Sequence, residues 1–307
     1  MTRLFYTTGK QDIIHEEWDK PEITSNEIEV KSVFTGMCRS DIDMYCGTFQ
    51  LLPKTIQGHE SVGIVTKVGN SIRNIKEGDF VATRGEPAFA DYYNCPDRMF
   101  VKIPELLPKY IIEPVACAIN IANSLRFWAG EEILIMGSGF LSTVVYTYLS
   151  NMNTHQPAQV TVVGNSNKEF WNKQTNAKLV SVEEVAGKKF KHVIDISEKP
   201  EYLDLNLYAE RATIILAAEK HPAANITFGQ FLWNATNIKF PSPRNEHFYS
   251  YMEEAVSMIQ DGLIDVSTLW CKSYDRETEV ELAFSEGLHR APGYGRGYIN
   301  YGTEAYS

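Results

Sequence analysis

The chain has 307 residues, 44% of them hydrophobic and 22% charged, with a formal net charge of -10. That length exceeds one ordinary core and predicts two domains. The acidic balance argues against a nucleic-acid partner, which needs clustered Lys and Arg, and the apolar runs Ile133–Met136 and Thr213–Ala218 are strand-sized, far too short to span a bilayer.

From Met1 to about Ile103 the sequence reads as short strands broken by turns. Ile28–Phe34, Gly63–Val68 and Asp79–Ala82 are β-rich, with Gly69-Asn70 and Glu77-Gly78-Asp79 as breakers, and a compact β-barrel-like domain is expected there. From about Glu113 to Ile264 strands and helices alternate. Glu132–Met136, Gln159–Val163, His192–Ile196 and Ala212–Leu216 are the apolar strands, spaced as a parallel sheet with crossover helices requires. Tyr249–Gln260 carries Met252, Ala255, Val256 and Ile259 at helical spacing, with Gly262 near its stop. The tail from Arg290 to Ser307 is rich in Gly and Tyr and reads as loops and a final strand. Met1–Lys10 has no apolar run of signal-peptide length. The five cysteines, Cys38, Cys46, Cys95, Cys117 and Cys271, are odd in number and follow no framework spacing, which fits a reducing cytoplasm.

The strand Glu132–Met136 runs into Gly137-Ser138-Gly139-Phe140-Leu141-Ser142, followed by the apolar Thr143–Leu149. The first glycine permits a tight turn, the second lets backbone approach a pyrophosphate, and the helix start offers free N–H groups. Gly137, Gly139, Phe140 and Leu141 are therefore candidate dinucleotide contacts. Ser142 stands where the fingerprint has its third glycine. After the second strand an NAD binder needs an acid for the ribose 2′-hydroxyl; here stand Gly164-Asn165-Ser166-Asn167-Lys168. With no acid to repel a 2′-phosphate, and with Ser166 and Lys168 to bond and neutralise it, the turn leans towards NADP(H) over NAD(H); its alternative reading is a plain surface turn.

Three further words carry possible metal ligands: Gly36-Met37-Cys38-Arg39-Ser40-Asp41, Gly58-His59-Glu60-Ser61-Val62-Gly63 and Glu113-Pro114-Val115-Ala116-Cys117-Ala118. A thiolate, an imidazole and carboxylates suit zinc, but read by spacing alone Cys38 is more often a buried core thiol and His59 a satisfied histidine. In combination with Gly69, Gly78-Asp79, the early strand Asn26–Lys31, Phe89-Ala90-Asp91-Tyr92 and Phe100–Pro104, these words resemble the zinc-containing medium-chain dehydrogenase/reductase superfamily, in its alcohol, polyol, sugar and threonine dehydrogenase branches. The resemblance covers nearly the whole chain.

It implies an α/β fold: a GroES-like β-barrel catalytic domain over residues 1–118 and 265–307, and a doubly wound Rossmann dinucleotide-binding domain over 119–264. It implies one catalytic zinc held by Cys38, His59 and Glu113, with Glu60 as a neighbour or alternative ligand. Asp41 would fix the His59 tautomer, Ser40 would pass the substrate's hydroxyl proton, and Arg39 would reach the pyrophosphate unless it is a solvated surface arginine. Two departures stand out. Asp43 occupies the place where some relatives carry a relay histidine. Between Val81 and Phe100 there is only Cys95, so no structural zinc is expected. The implied activity is hydride transfer between an alcohol (a polyol, sugar or amino alcohol) and NAD(P), in a homo-oligomer; Tyr45, Phe49 and Trp270 are candidate pocket aromatics. The competing readings are a zinc-free quinone- or enoyl-reductase on the same fold and a non-catalytic nucleotide-binding subunit.

Overall fold

The computed structural model describes residues 1–151, 156–220 and 228–302; the last residues of the tail, 303–307, lie outside them. The chain forms two compact units, one from Met1–Pro114 with Met252–Ser307, the other from Val115–Tyr251.

In the first unit, β1 (Thr2–Tyr6) and β2 (Ile14–Trp18) make a two-stranded antiparallel sheet. β3 (Glu27–Gly36) is the long central strand. It ends just before α1 (Arg39–Tyr45) and is followed by β4 (Ser61–Val68), β5 (Phe80–Thr83), β6 (Tyr92–Pro96) and β7 (Phe100–Lys102). The first half of β3 pairs with β6 as well as β4, and its last residues pair with a strand from the far end of the chain. This double use explains why eight of its ten residues are buried on both faces rather than in alternation. Leu4, Ile28, Val30, Val65, Val81, Tyr93 and Phe100 form the core on one side of it.

α2 (Glu113–Ser124) begins at the unit boundary and opens the second unit. Its elements are β8 (Glu132–Met136), α3 (Phe140–Asn151), β9 (Gln159–Val163), α4 (Lys168–Asn172), β10 (Ala177–Val180), α5 (Val182–Val185), β11 (Phe190–Asp195), α6 (Glu201–Asp204), β12 (Tyr208–Leu216), α7 (Phe228–Trp233) and β13 (Asn237–Lys239). The strands are parallel in the order β10-β9-β8-β11-β12-β13. Strand order reverses between β8 and β11, and in open sheets of this kind ligands bind beyond the carboxyl ends of the strands at that reversal. The near-continuous apolar runs of β8 and β9 fit strands covered on both faces.

α8 (Phe248–Gln260) leads back to the first unit, where β14 (Trp270–Asp275), α9 (Val280–Leu288) and β15 (Arg296–Asn300) complete its sheet in the order β14-β15-β3-β4-β5-β7. The final strand expected in the Gly- and Tyr-rich tail is β15. The expected strands and the helix over Tyr249–Gln260 coincide with observed elements, except that Asn26, Asp79 and Ile196 lie one residue outside β3, β5 and β11; β10 and β13, short and half-exposed, carry no apolar run and are not among the expected strands. Among the described residues no helix is long and apolar enough to cross a membrane.

Leu134 in β8 is fully buried in the core with Met136, Val163, Val193 and Ile214. Leu134→Ala is expected to destabilise this unit by about 2–5 kcal/mol, because the rigid sheet cannot collapse into the space left; the thermal unfolding transition of the variant checks it.

Candidate active site

In the first unit, β3 and β4 are antiparallel neighbours, with Thr35 opposite Ser61. Just past this pair, Gly36 donates its N–H to the Glu60 carbonyl at 2.7 Å. The segments carrying Cys38 and His59-Glu60 are thus held side by side by a continuation of the ladder. Cys38 precedes α1, and its backbone N–H donates to Asp41 Oδ2 at 2.9 Å, which fixes the turn between strand and helix. One metal-ligating atom each from Cys38, His59 and Glu60 lies within 4.8 Å of the others. Zinc bonds of about 2.0–2.3 Å place tetrahedral donors within about 4 Å of one another, so a thiol, an imidazole and a carboxylate already gathered to this degree fit the ion.

The trio differs in one member from the set that the resemblance implies. Glu60 is in it, and Glu113 is not. Glu113 opens α2, is buried, and faces the buried Arg84, with Arg84 Nε 3.8 Å from Oε1. Burial pushes the Glu113 carboxyl up, against the opposing pull of His59 and the two arginines, Arg84 and Arg296. For His59, burial pulls the imidazole down, but the hydrogen bond to Cys38 and the charges of Asp41 and Glu113 outweigh it, and the net shift is upward. Asp41 Oδ1 lies 4.0 Å from His59 Nδ1 and has no hydrogen-bond partner among the described residues, so the tautomer-fixing bond expected from Asp41 is not made in this geometry.

The side chain that most shapes the site comes from the far end of the chain. Arg296, on β15, donates from Nη1 to both oxygens of Glu60, at 3.0 and 2.8 Å, and lies over the Trp270 ring at 5.5 Å. Burial works against the arginine's charge, and Glu60, Cys38 and Glu113 more than restore it. Gly36 makes this packing possible: a Cβ there would come within 2.5 Å of Glu60 Oε2 and 2.8 Å of the Trp270 ring. Neither Arg296 nor Gly36 carries a spacing signal that would single it out from sequence.

The other expected residues fall as follows. Arg39 pairs with the buried Asp43, Nε to Oδ1 at 2.9 Å, so the residue in the relay position and the supposed pyrophosphate contact hold one another. Ser40 is half-buried in the first turn of α1. Tyr45 packs on Phe284 in the core, while Trp270 lies beside Glu60. Cys95 is buried, with Sγ donating to the Met99 carbonyl.

In the second unit, β8 ends at Met136 beside Val163, the end of β9. Gly137 adopts φ +109°, a conformation that favours glycine, and its N–H bonds the Val163 carbonyl. Around Gly139 an added Cβ would meet nothing within 4 Å, as an approach surface for a pyrophosphate requires. Phe140 and Leu141 open α3, and Ser142 is buried in its first turn. Gly164, Asn165, Ser166 and Lys168 form the turn after β9. Asn165, Ser166 and Lys168 are exposed, and no acid lies among them.

Residues 24–105 match the family model of the alcohol dehydrogenase GroES-like domain. Among curated proteins, D-xylulose reductase A of Aspergillus niger is 28% identical where the two align, which covers 44% of this chain and 48% of the relative; the chain thus spans about half the length of the curated relatives it matches. Solved structures share the fold along almost its full length. Zinc dependent alcohol dehydrogenase 2 from Streptococcus pneumonia aligns with a TM-score of 0.82 at 17% identity, covering 99% of this chain and 100% of that one. For 2R,3R-butanediol dehydrogenase from Bacillus subtilis the TM-score is 0.79 at 17% identity, over 98% and 100%. The first unit is a GroES-like domain and the second a Rossmann domain. Along almost its full length the chain shares the fold of these dehydrogenases.

Removing Arg296 should strand a fully buried carboxylate. Arg296→Met is expected to destabilise the metal-free protein by about 3–5 kcal/mol, with Glu60→Gln in the same chain recovering part of the loss; denaturant unfolding of the two variants tests it. Burial pushes the Asp41 carboxyl up to about 6 from 3.8. A raised carboxyl stabilises the fold when protonated, and that contribution is lost as pH climbs from about 4 through about 6. Asp41→Asn is therefore expected to raise the unfolding free energy of the metal-free protein near pH 8, by about 2–3 kcal/mol, and to change it little near pH 4; equal effects at both pH values in denaturant unfolding would be the contrary result.

Proposed function

We propose that this protein is a zinc-dependent oxidoreductase that transfers a hydride between a polyol or similar hydroxylated substrate and a nicotinamide dinucleotide, with NADP(H) preferred. The observation that carries the reading is the gathering of a thiol, an imidazole and a carboxylate within 4.8 Å in the GroES-like unit. Cys38, His59 and Glu60 would hold one ion, with Glu113 close enough in charge to act on the same site. When bound, zinc supplies Lewis acidity to a carbinol or carbonyl oxygen, and the dinucleotide accepts or returns the hydride.

The chain's own residues supply placement and proton handling. Arg296 holds both oxygens of the Glu60 carboxylate and so fixes its orientation. Ser40, two residues after Cys38, is the proposed hydroxyl through which the substrate proton leaves. Because Arg39 and Asp43 are paired, the path beyond Ser40 runs through solvent rather than through a buried relay. The turn Gly137–Leu141 would receive the pyrophosphate on backbone N–H groups, and Ser166 and Lys168 would receive the adenine-ribose 2′-phosphate. A polyol substrate is supported by the names of the relatives, a D-xylulose reductase and a 2R,3R-butanediol dehydrogenase. One catalytic zinc and no second is proposed, because Cys95 stands without another thiol between Val81 and Phe100. A cytoplasmic homo-oligomer completes the reading: the five cysteines are all free thiols, and Phe228, Leu232 and Trp233 are exposed on α7, whose chain leads directly into the half-exposed strand β13.

Protein purified without added metal should contain about one zinc per chain and oxidise polyols with NADP. Cys38→Ser should lose the metal and at least about 100-fold in turnover, at the upper end of what partners beyond the ligands typically cost, while dinucleotide affinity stays unchanged. Unchanged turnover in that variant would remove the metal from the reaction.

A further inference from the structure

Ser138, between the two glycines of the first βα turn, is 3% exposed. Its Oγ accepts the backbone N–H of Ser166 at 2.9 Å and lies 2.9 Å from Ser166 Oγ. Among the described residues its hydroxyl has no other partner. The contact depends on Gly164, since a Cβ there would come within 2.3 Å of Ser138 Oγ. The Trp171 indole N–H donates to the Ser138 carbonyl at 3.0 Å and holds the same turn from the side of α4. The loops after β8 and β9 are therefore fastened together at one buried hydroxyl.

That hydroxyl has one proton to place. If Ser166 donated to Ser138, the Ser138 proton would be buried with no acceptor, an arrangement that folded proteins avoid. If Ser138 donates to Ser166 Oγ, its proton is satisfied and the Ser166 proton is left pointing out of an exposed residue. Lys168, exposed and without an ion pair among the described residues, lies two positions on, and the adjacent acid, Glu169, is engaged by Lys173 at 2.8 Å. A fixed hydroxyl donor beside an available ammonium is matched by a group that only accepts and is negatively charged.

We propose that Ser138 is a specificity-determining positioning residue: by donating to Ser166 it aims the Ser166 hydroxyl outward as a donor for the 2′-phosphate of NADP. This rests on the NADP reading above and assigns a cause to it. Ser138 does not touch the phosphate itself. It acts through Ser166.

The test is calorimetric binding of NADP and of NAD, measured separately, to the wild-type protein and to Ser138→Ala, Ser166→Ala and the double variant. Each single substitution is expected to weaken NADP binding about tenfold, the scale of one charge-assisted hydrogen bond, and to leave NAD within about twofold. The double variant should be no worse than Ser166→Ala, because both remove the same donor. A merely structural Ser138 would weaken both dinucleotides alike, and that result overturns the inference, as does a Ser138→Ala protein whose NADP-to-NAD ratio is unchanged. Should Ser138→Ala fail to fold, Ser166→Ala on the exposed residue decides: unchanged NADP affinity there overturns the inference. A wild-type protein that binds NAD at least as tightly as NADP sinks the NADP reading itself, and the role of Ser138 with it.

Discussion

A fully buried carboxylate, Glu60, gripped by a guanidinium from the other end of the chain is the interaction on which the GroES-like unit turns. A carboxylate taken out of water needs compensation by charge or hydrogen bonds, and Glu60 is not alone: Asp41 and Glu113 are buried close by. Arg296 and Arg84 are the protein's own answer. Arg296 reaches Glu60 only because β15 pairs with the end of β3, with Tyr298 opposite Gly36. The need for that arginine therefore ties β15 to the strand that precedes Cys38, and gives a physical reason for a unit built from two stretches of sequence that flank a Rossmann domain.

The same charge balance bears on how a dication would be received. Cys38, Glu60 and Glu113 bring negative or potentially negative groups to one buried region, and the guanidiniums offset part of it. A ligand set wholly neutralised by arginines would have little to offer a metal; one with no arginines would fall apart without it. The observed arrangement lies between these limits. Glu60 is clamped on its oxygens by a single nitrogen, Nη1, which leaves lone pairs on each oxygen for another partner. Glu113, by contrast, faces its arginine at ion-pair rather than hydrogen-bond distance. Gly36 matters because it lets the carboxylate lie directly against backbone, where a side chain would push it out of line with Cys38 and His59.

Much of this was legible in the sequence, and what was not has identifiable causes. The parallel strands were readable because a sheet covered on both faces needs unbroken apolar runs, as in Glu132–Met136 and Gln159–Val163. β10 and β13 were not, since half-exposed strands of three or four residues leave no pattern. Cys38, His59, Glu60 and Glu113 could be named only because the words around them resemble those of a known family, since their spacing alone singles out none of them. That Glu60 rather than Glu113 gathers with Cys38 and His59 was not legible, because the arginines facing the two carboxylates, Arg296 and Arg84, are distant from them in sequence. Asp43 was flagged as a departure, but its pairing with Arg39 emerged only with the helix, where positions four apart share a face.

In the Rossmann unit the departures from the usual fingerprint are correlated. Gly164, where the second strand would carry an acid, is also the residue whose missing side chain admits Ser138. Ser138 in turn fixes Ser166 through both its N–H and its hydroxyl, and Trp171 fixes Ser138. Replacing Gly164 by an acid would restore a ribose-binding carboxylate and at the same time evict the serine that anchors the turn. The hydroxyl-lined turn and the acid-bearing turn are thus alternative packings of one small volume, and a chain can hold only one of them. Steric exclusion at Gly164, more than the absence of a single charge, explains why glycine, two serines and a lysine occur here as a set.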